Sequence, residues 1–344
     1  MKSPALISVI IPTRNRLAFL REAIASVQRQ SFADWELIVV DDCSQDGTWD
    51  WLGSLDDKRI HSLRMDEHRE RSVSRNAGLR AAGGEFVMFL DDDDWLLDGA
   101  LTGLSDALRQ QSTAAGAVGA LIYENSWGSW NRAPHPRRRV FKKVWEDMLF
   151  GWIPHQGRTL LRKSAIVEAG GWKEAMRLSE DYHLWLRLWR YAPAVLIPQP
   201  VVAYRIHPGQ TPQAGVWALN IKLRRAAVAN EGTDERQRAE RSILAHRLIR
   251  QSWRALERGH PWKALGRCGQ AALSAPWLLA SPPSRVLIAE TAWRSFVHAT
   301  LGTWVTERLR KAKRALTRRG ELRPPRLAAV PSTTALRGGT DSRS

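Results

Sequence analysis

Two cysteines, Cys43 and Cys268, are all that the 344 residues contain, with no C-x-x-C pair and no histidine cluster at zinc spacing. A disulfide framework and a structural zinc site therefore lack support, and a reducing cytosolic setting is expected. Long apolar runs are missing too. No window reaches the roughly 18 uninterrupted apolar residues of a spanning helix. The best stretch, 286–306, is broken by Glu290, Arg294 and His298. The opening MKSPALISVIIPTRNR lacks the longer apolar segment and small-residue cleavage site of a secretory signal, and reads as a strand. Acidic residues are in deficit, 35 against 52 Lys and Arg, which leaves a formal net charge of +17. Such an excess favours a polyanionic partner: nucleic acid, an anionic membrane face or a phosphorylated substrate. A glycine-rich phosphate loop is absent after the first strand, where PTRNR stands instead, and this argues against a nucleotidyltransferase on a similar scaffold.

What is present has the rhythm of an α/β protein. Leu6 to Ile11 is a β-branched-rich run stopped by Pro-Thr-Arg-Asn, and Leu20, Ile24 and Val27 then recur at helical spacing. Glu36 to Val40 is a second apolar strand ending in Asp41-Asp42, with turn chemistry at Asp46-Gly47. A helix around Ser74 to Ala82 leads through Gly83-Gly84 to the strand Glu85 to Leu90, which ends in Asp91-Asp92-Asp93-Asp94. Strands alternating with helices predict a doubly wound, mainly parallel sheet flanked by helices. In such sheets ligands collect beyond the carboxyl ends of the strands, where all three polar clusters fall. Farther along, 132–143 is Pro- and Arg-rich and reads as a mobile loop, 159–169 as strand then helix, and 181–191 as helix. From about Gly209 the pattern changes to Arg-rich helices, and from Gly320 to a Pro-, Thr-, Ser- and Gly-rich tail. The expected organisation is a catalytic domain over 1–215, a basic helical extension over 216–319 and a disordered tail over 320–344.

The acidic run FLDDDDW holds a D-x-D, whose hard oxygens at a strand end suit Mg²⁺ or Mn²⁺ bridging diphosphate oxygens. Taken alone it is equally an acidic loop in which Asp94 caps a helix. Asp42 offers a carboxylate that, being acceptor-only when ionised, suits the N3–H of a uracil-type base; a plain Asx-turn is the competing reading. Arg75 has the fork geometry that phosphate prefers, although Arg75-Asn76 is also a plausible surface pair of a helix.

Four strings, SVIIPTRN, ELIVVDDCSQDGT, SVSRNAGLRAAGGEFVMFLDDDDW and SEDYHLWLRL, resemble in their order and spacing the family 2 glycosyltransferases of the GT-A fold, over roughly residues 6–210. That resemblance implies an inverting transfer from a nucleotide-diphosphate sugar, UDP favoured, to an acceptor hydroxyl in cell-surface polysaccharide or glycolipid assembly. Pro12 and Arg14 would border the base, Asp42 would bind it, Asp92 would approach the ribose, and Arg75 and Asn76 would belong to the donor site. Asp91 and Asp93 would hold Mg²⁺ or Mn²⁺, with His207 near the metal. Asp181 would be the general base, its ionised form favoured by a helix N-terminus that Ser179 caps, while Glu180, His155 and Trp172 would shape the acceptor pocket. Many relatives carry an aromatic residue where this chain has Arg14, so a guanidinium plane would have to supply any stacking. Trp185 and Trp189, four apart on one helix, read as packing residues. The run TERLRKAKRALTRRG suits an anionic inner membrane surface, where lipid-linked acceptors reside, as well as it suits solvent. No aromatic platform accompanies it, and a nucleic-acid partner is not expected. A catalytically silent sugar-nucleotide binder is the rival reading, disfavoured by intact Asp93 and Asp181.

Overall fold

The computed structural model describes residues 7–125, 128–132, 139–141, 144–150, 154–190, 192–210, 216–280, 287–293 and 295–296. The first half alternates as expected: β1 (Ile7–Thr13), α1 (Leu17–Gln28), β2 (Trp35–Asp41), α2 (Thr48–Gly53), β3 (Ile60–Arg64), α3 (Arg71–Ala81) and β4 (Phe86–Phe89). There follow β5 (Trp95–Leu96), α4 (Ala100–Arg109), β6 (Gly116–Asn125), β7 (Gly128–Arg132), β8 (Arg139–Phe141), α5 (Val144–Phe150), a 3-10 turn (Gln156–Arg158), β9 (Thr159–Arg162), α6 (Lys163–Glu168), α7 (Glu180–Leu188) and β10 (Ala194–Arg205). The helices α8 (Val216–Ala227), α9 (Thr233–Glu257) and α10 (Pro261–Ser274) follow, then a 3-10 turn (Pro276–Ala280) and further helical residues at 287–293.

The ten strands form one sheet in the order β3-β2-β1-β4-β9-β6-β10-β5, with β7 on β6 and β8 on β10. β3, β2, β1 and β4 are parallel. β9 runs against both β4 and β6, and β10 runs parallel to β6, so the large strands on either side of β9 point the same way. The sheet is thus mixed and mostly parallel, the arrangement of a GT-A fold.

Side-chain alternation explains why these apolar runs become strands buried on both faces. Ile7, Val9 and Ile11 of β1 and Leu37 and Val39 of β2 pack under Leu20, Ile24 and Val27 of α1 and Leu101, Leu104 and Leu108 of α4. Ile10, Ile38 and Val40 face the other way, toward Leu79, Met148, Leu184 and Trp185. Trp185 and Trp189 are fully buried and packed together, as their spacing predicts. Gly78 sits inside α3, where glycine ordinarily costs about 1 kcal/mol against alanine. A Cβ there would lie 2.4 Å from Ile10 Cγ2, so the missing side chain is what lets α3 approach β1 this closely. The Asp46-Gly47 turn has the expected chemistry: Gly47 takes a left-handed φ of 82°, and Asp46 accepts from the Thr48 amide and hydroxyl.

Two local expectations need correction. The Pro- and Arg-rich 132–143 stretch contains β8, anchored by buried Phe141 and paired antiparallel to β10; residues 133–138 and 142–143 lie outside the described residues. Three residues carry too little local signal to mark a strand, and pairing with β10 decides the matter. β3 was likewise unforeseen, because its half-exposed IHSLR lacks the apolar run of its neighbours. The 308–319 basic run and the 320–344 tail fall outside the described residues.

The closing helices pack on α5 and α7, the helices that cover one face of the sheet. Trp145 donates to Glu235 at 3.0 Å, Arg190 donates to the Ala227 carbonyl at 2.8 Å, and Ala245, Ile249, Cys268 and Ala271 form a further apolar cluster with Phe150. Among the described residues no helix is long and apolar enough to cross a membrane.

Candidate active site

A cleft of about 820 Å³ opens beyond the carboxyl ends of β1, β2 and β4. Its walls include Pro12, Arg14, Asp42, Arg75, Asp91, Asp92, Asp93, His155, Glu180 and Asp181, so most residues singled out from the sequence meet in one place. Trp172, Asn76 and His207 are not among its lining residues.

The first wall follows from the turn after β1. Asn15 adopts a left-handed φ of 52°, donates its amide to Ser44 Oγ and accepts from the Gln45 amide, which ties the β1 and β2 loops together. Thr13 Oγ1 donates to Asp92 at 2.8 Å, and Arg16 Nη1 donates to Asp92 at 3.1 Å and to Asp93 at 2.7 Å. Asp42 accepts from the Arg69 amide at 2.9 Å and pairs with His68 Nδ1 at 2.6 Å. A carboxylate has about four lone-pair sites, so Asp42 keeps acceptor capacity for a base N–H. Arg16, His68 and Arg69 were not foreseen. Arg16 was legible as a second fork two residues beyond Arg14, whereas His68 and Arg69 reach Asp42 across a loop that no local pattern marks.

The acidic run is split by its surroundings. Burial and the neighbouring Asp91 and Asp93 push the Asp94 carboxyl well above the usual carboxylate range. Burial would also raise Asp91, but Arg75 and then His155 pull it down to about 2. Burial and nearby carboxylates lift Asp92 to about 6 against the pull of Arg16. The expected metal pair was Asp91 with Asp93, and His207 beside them. Asp93 instead faces Arg16 and accepts from His207 Nε2 at 3.0 Å. Among the described residues the group with metal-ligand geometry is Asp91, Asp94 and His155, whose ligand atoms all lie within 4.8 Å of one another. Asp94, expected as a cap, accepts the Arg205 amide through Oδ1, while its buried Oδ2 has no partner. His155 Nε2 stands 3.6 Å from that oxygen and 3.7 Å from Asp91 Oδ2, too far for hydrogen bonds. Burial lowers the His155 pKa, which favours the neutral imidazole that a metal requires. The Gly157 amide donates to Nδ1 at 3.3 Å, which leaves the ring proton on Nε2, so ligation through Nε2 requires the other tautomer. Two carboxylates, one of them orphaned, and a neutral imidazole fit a hard divalent cation.

Opposite stands the amino end of α7. Ser179 has a left-handed φ of 57° and makes no side-chain cap; its buried Oγ has no partner. The expected capping by Ser179 therefore fails, and the helix end does not hold the Asp181 pKa down. Its Oδ1 accepts the Tyr182 amide at 2.6 Å, but burial and then Glu180 raise its pKa to about 6. Arg75 spans the gap: Nη2 donates to Asp91 at 2.8 Å and Nη1 to Glu180 at 3.2 Å, while the guanidinium lies 4.5 Å over the Trp172 ring. Trp172 is buried, packed edge-on against Phe89, and supports Arg75 in place of the expected acceptor-pocket role. Asn76, expected at the donor, instead accepts the Trp172 amide and donates to the Trp172 carbonyl and to Glu174.

Residues 8–168 match the family described as "Glycosyl transferase family 2". Among curated proteins, the chain is 44% identical over 96 residues to a putative teichuronic acid biosynthesis glycosyltransferase, TuaG, of Bacillus subtilis, covering 27% of this chain and 38% of that protein. It is 48% identical over 101 residues to the GalNAc(5)-diNAcBac-PP-undecaprenol beta-1,3-glucosyltransferase of Campylobacter jejuni, covering 28% and 33%. These two matches thus span only about a third of the relatives' length. A longer match, 39% identical over 206 residues, joins 55% of this chain to 67% of the putative colanic acid biosynthesis glycosyl transferase WcaA of Escherichia coli. In three dimensions, S. aureus TarS 1-349 in complex with UDP-GlcNAc superposes with a TM-score of 0.59 at 17% identity, over 86% of this chain and 92% of that one, which establishes the shared fold. With the ordered strand-end motifs in one cleft, the GT-A sheet around them and the extended match to WcaA, the chain belongs to glycosyl transferase family 2.

Proposed function

We propose that the chain is an inverting glycosyltransferase that moves a sugar from a nucleotide diphosphate, UDP favoured, to an acceptor hydroxyl. The observation that carries this reading is Arg75, which couples the acidic end of β4 to the pair Glu180-Asp181 across one cleft. In the reaction, the Asp181 carboxylate takes the proton of the acceptor hydroxyl, that oxygen bonds to the anomeric carbon, and the bond to the diphosphate oxygen breaks on the opposite face. A pKa near 6 suits a base working close to neutrality better than an ordinary aspartate would. Asp42 supplies the acceptor for a uracil N3–H, with Pro12 and Arg14 beside it, and Asp92 faces the ribose. UDP is favoured further because the TarS structures carry UDP-GlcNAc or UDP.

Asp91, Asp94 and His155 would hold Mg²⁺ or Mn²⁺, and such an ion would stabilise charge on the departing diphosphate. Asp93, bound to Arg16 and His207, would orient that arginine toward the phosphates. Calorimetry with UDP-GlcNAc and UDP-glucose separates the two acidic sites. Mn²⁺ is expected to tighten donor binding at least about tenfold in the wild type, and Asp94→Asn to abolish that gain, since loss of a ligand or of its support costs roughly 10–100-fold in metal affinity. Donor binding indifferent to Mn²⁺, or a gain that survives in Asp94→Asn, contradicts the assignment.

An acceptor among glycans or lipid-linked sugars, in cell-surface polysaccharide or glycolipid assembly, is supported by the Campylobacter relative, which is named for an undecaprenol-diphosphate-linked substrate. A cytoplasmic protein in peripheral contact with an anionic membrane face fits that chemistry. The +17 charge and the exposed Trp262 and Trp293, with Lys263 and Arg267 on the same helix as Trp262, support this contact. In co-sedimentation, the chain is expected to pellet with phosphatidylglycerol vesicles and not with phosphatidylcholine, and Trp262→Ala with Trp293→Ala to weaken pelleting about tenfold. Equal recovery with both lipids, or no effect of the double variant, removes the membrane from the proposal.

A further inference from the structure

Helix α8 reaches into the cleft. Asn220 lines it together with Val216, is 4% exposed, and its Oδ1 has no hydrogen-bond partner. Ser179 lines the same cleft with its Oγ also unpartnered, and directly precedes Glu180-Asp181. Buried polar atoms are ordinarily paired, so two orphans facing one cavity beside the base point to hydrogen bonds completed by a ligand. The amide offers a hydroxyl either its oxygen or, turned over, its NH₂ group.

A second set of contacts fixes this amide relative to the base. Four residues along the same face of α8, buried Arg224 donates through Nε to Tyr182 Oη at 2.7 Å, and Tyr182 Oη donates in turn to the Met148 carbonyl. Arg224 also donates to His246 Nδ1 at 3.2 Å, and burial holds His246 well below its ordinary pKa, which keeps that nitrogen an acceptor. Tyr182 is the residue after Asp181. The first helix after β10 is therefore pinned to the helix that carries the base.

We propose that Asn220 and Ser179 form the acceptor subsite, taking the ring hydroxyls that neighbour the attacking one on a pyranoside, while Val216 and Ile206 border its C–H face. The proposal rests on the glycosyl-transfer reading and adds the class and location of the acceptor contact. It makes Asn220 a binding residue and Arg224 a positioning residue.

The test uses the full chain saturated with UDP and Mn²⁺, and as probes octyl β-glucoside, octyl N-acetyl-β-glucosaminide and octyl β-galactoside below their micellar concentrations, followed by saturation-transfer NMR. The wild type is expected to saturate ring protons of at least one glycoside. Asn220→Leu is expected to weaken that glycoside at least about tenfold while leaving UDP affinity unchanged. Its melting temperature should hold or rise, because an unpaired buried amide has been removed. Asn220→Ser, which keeps a hydroxyl in the subsite, is expected to recover part of the binding. A structural role for Asn220 gives the opposite pattern, a lower melting temperature and loss of UDP together with glycoside, and overturns the inference. A wild type that binds UDP but no glycoside, or Asn220→Leu that binds glycosides as the wild type does, also overturns it. A chain that binds neither UDP nor the UDP-sugars refutes the transferase reading, and this subsite with it.

Discussion

Asp181→Asn is expected to leave donor affinity within about twofold and to lower sugar transfer by roughly 10²–10⁴-fold, the range that a positioned general base supplies. Asparagine keeps the shape and the acceptor oxygen that meets the Tyr182 amide, but cannot take a proton. The pH dependence follows from burial and Glu180, which raise the Asp181 pKa to about 6. Only the carboxylate is active, so wild-type kcat/KM should rise about tenfold per pH unit below 6 and level off above it, and the step should vanish in the variant. Stability moves the other way. The folded pKa lies above the ordinary 3.8, so the contribution of Asp181 to stability is fully present below pH 3.8 and is lost as pH rises through about 6. At pH 8, Asp181→Asn is therefore expected to melt higher than the wild type while turning over far more slowly. A variant that keeps its rate, or loses donor binding in parallel, removes Asp181 from the base role.

Arg75→Met carries the largest expected cost in stability. The guanidinium is 2% exposed and stands between Asp91 and Glu180, and methionine fills similar space without charge. Two largely buried carboxylates would lose their shared cation, with Arg71 left 3.5 Å from Glu180 and His155 3.7 Å from Asp91. Breaking a buried ion pair from one side typically costs about 3–5 kcal/mol. Denaturant unfolding of the metal-free chain should read a loss in that range. A loss under about 1 kcal/mol would show that Arg75 is not the electrostatic centre of the cleft. Arg75→Lys should recover only part, because an ammonium lacks the fork that reaches both carboxylates and the flat face that lies on Trp172.

The sheet was legible because apolar strands ending in polar clusters are local patterns. ISVIIPT and WELIVVD announce both their burial and their ends. The site was legible in its membership and less so in its pairings. Asp42 and Asp91 stand at the carboxyl ends of the parallel strands β2 and β4, and Asp181 at a helix start, so the topology brings them to one cleft. Which aspartate meets which cation is decided across the chain: Arg16 lies 77 positions from Asp93, and Arg75 lies 105 from Glu180. Trp172 illustrates the limit. An indole near an acidic motif suits a sugar platform equally well from sequence, yet Phe89, Trp185 and Arg75 enclose it. The Asp181 pKa shows the same limit. A helix N-terminus favours a carboxylate by about 0.3–1 kcal/mol, and burial beside Glu180 outweighs it.

The reaction itself is the most direct measurement. The full chain is incubated with Mn²⁺, UDP-glucose or UDP-GlcNAc, and a bacterial lipid extract or octyl glycosides, and both nucleotide release and the anomeric configuration of the product are followed by NMR. UDP release coupled to a β-linked product from the α-linked donor, lost in Asp181→Asn, is the expected result. Donor binding without release for any acceptor, an α-linked product, or turnover that persists unchanged in Asp181→Asn would contradict an inverting transferase with Asp181 as its base.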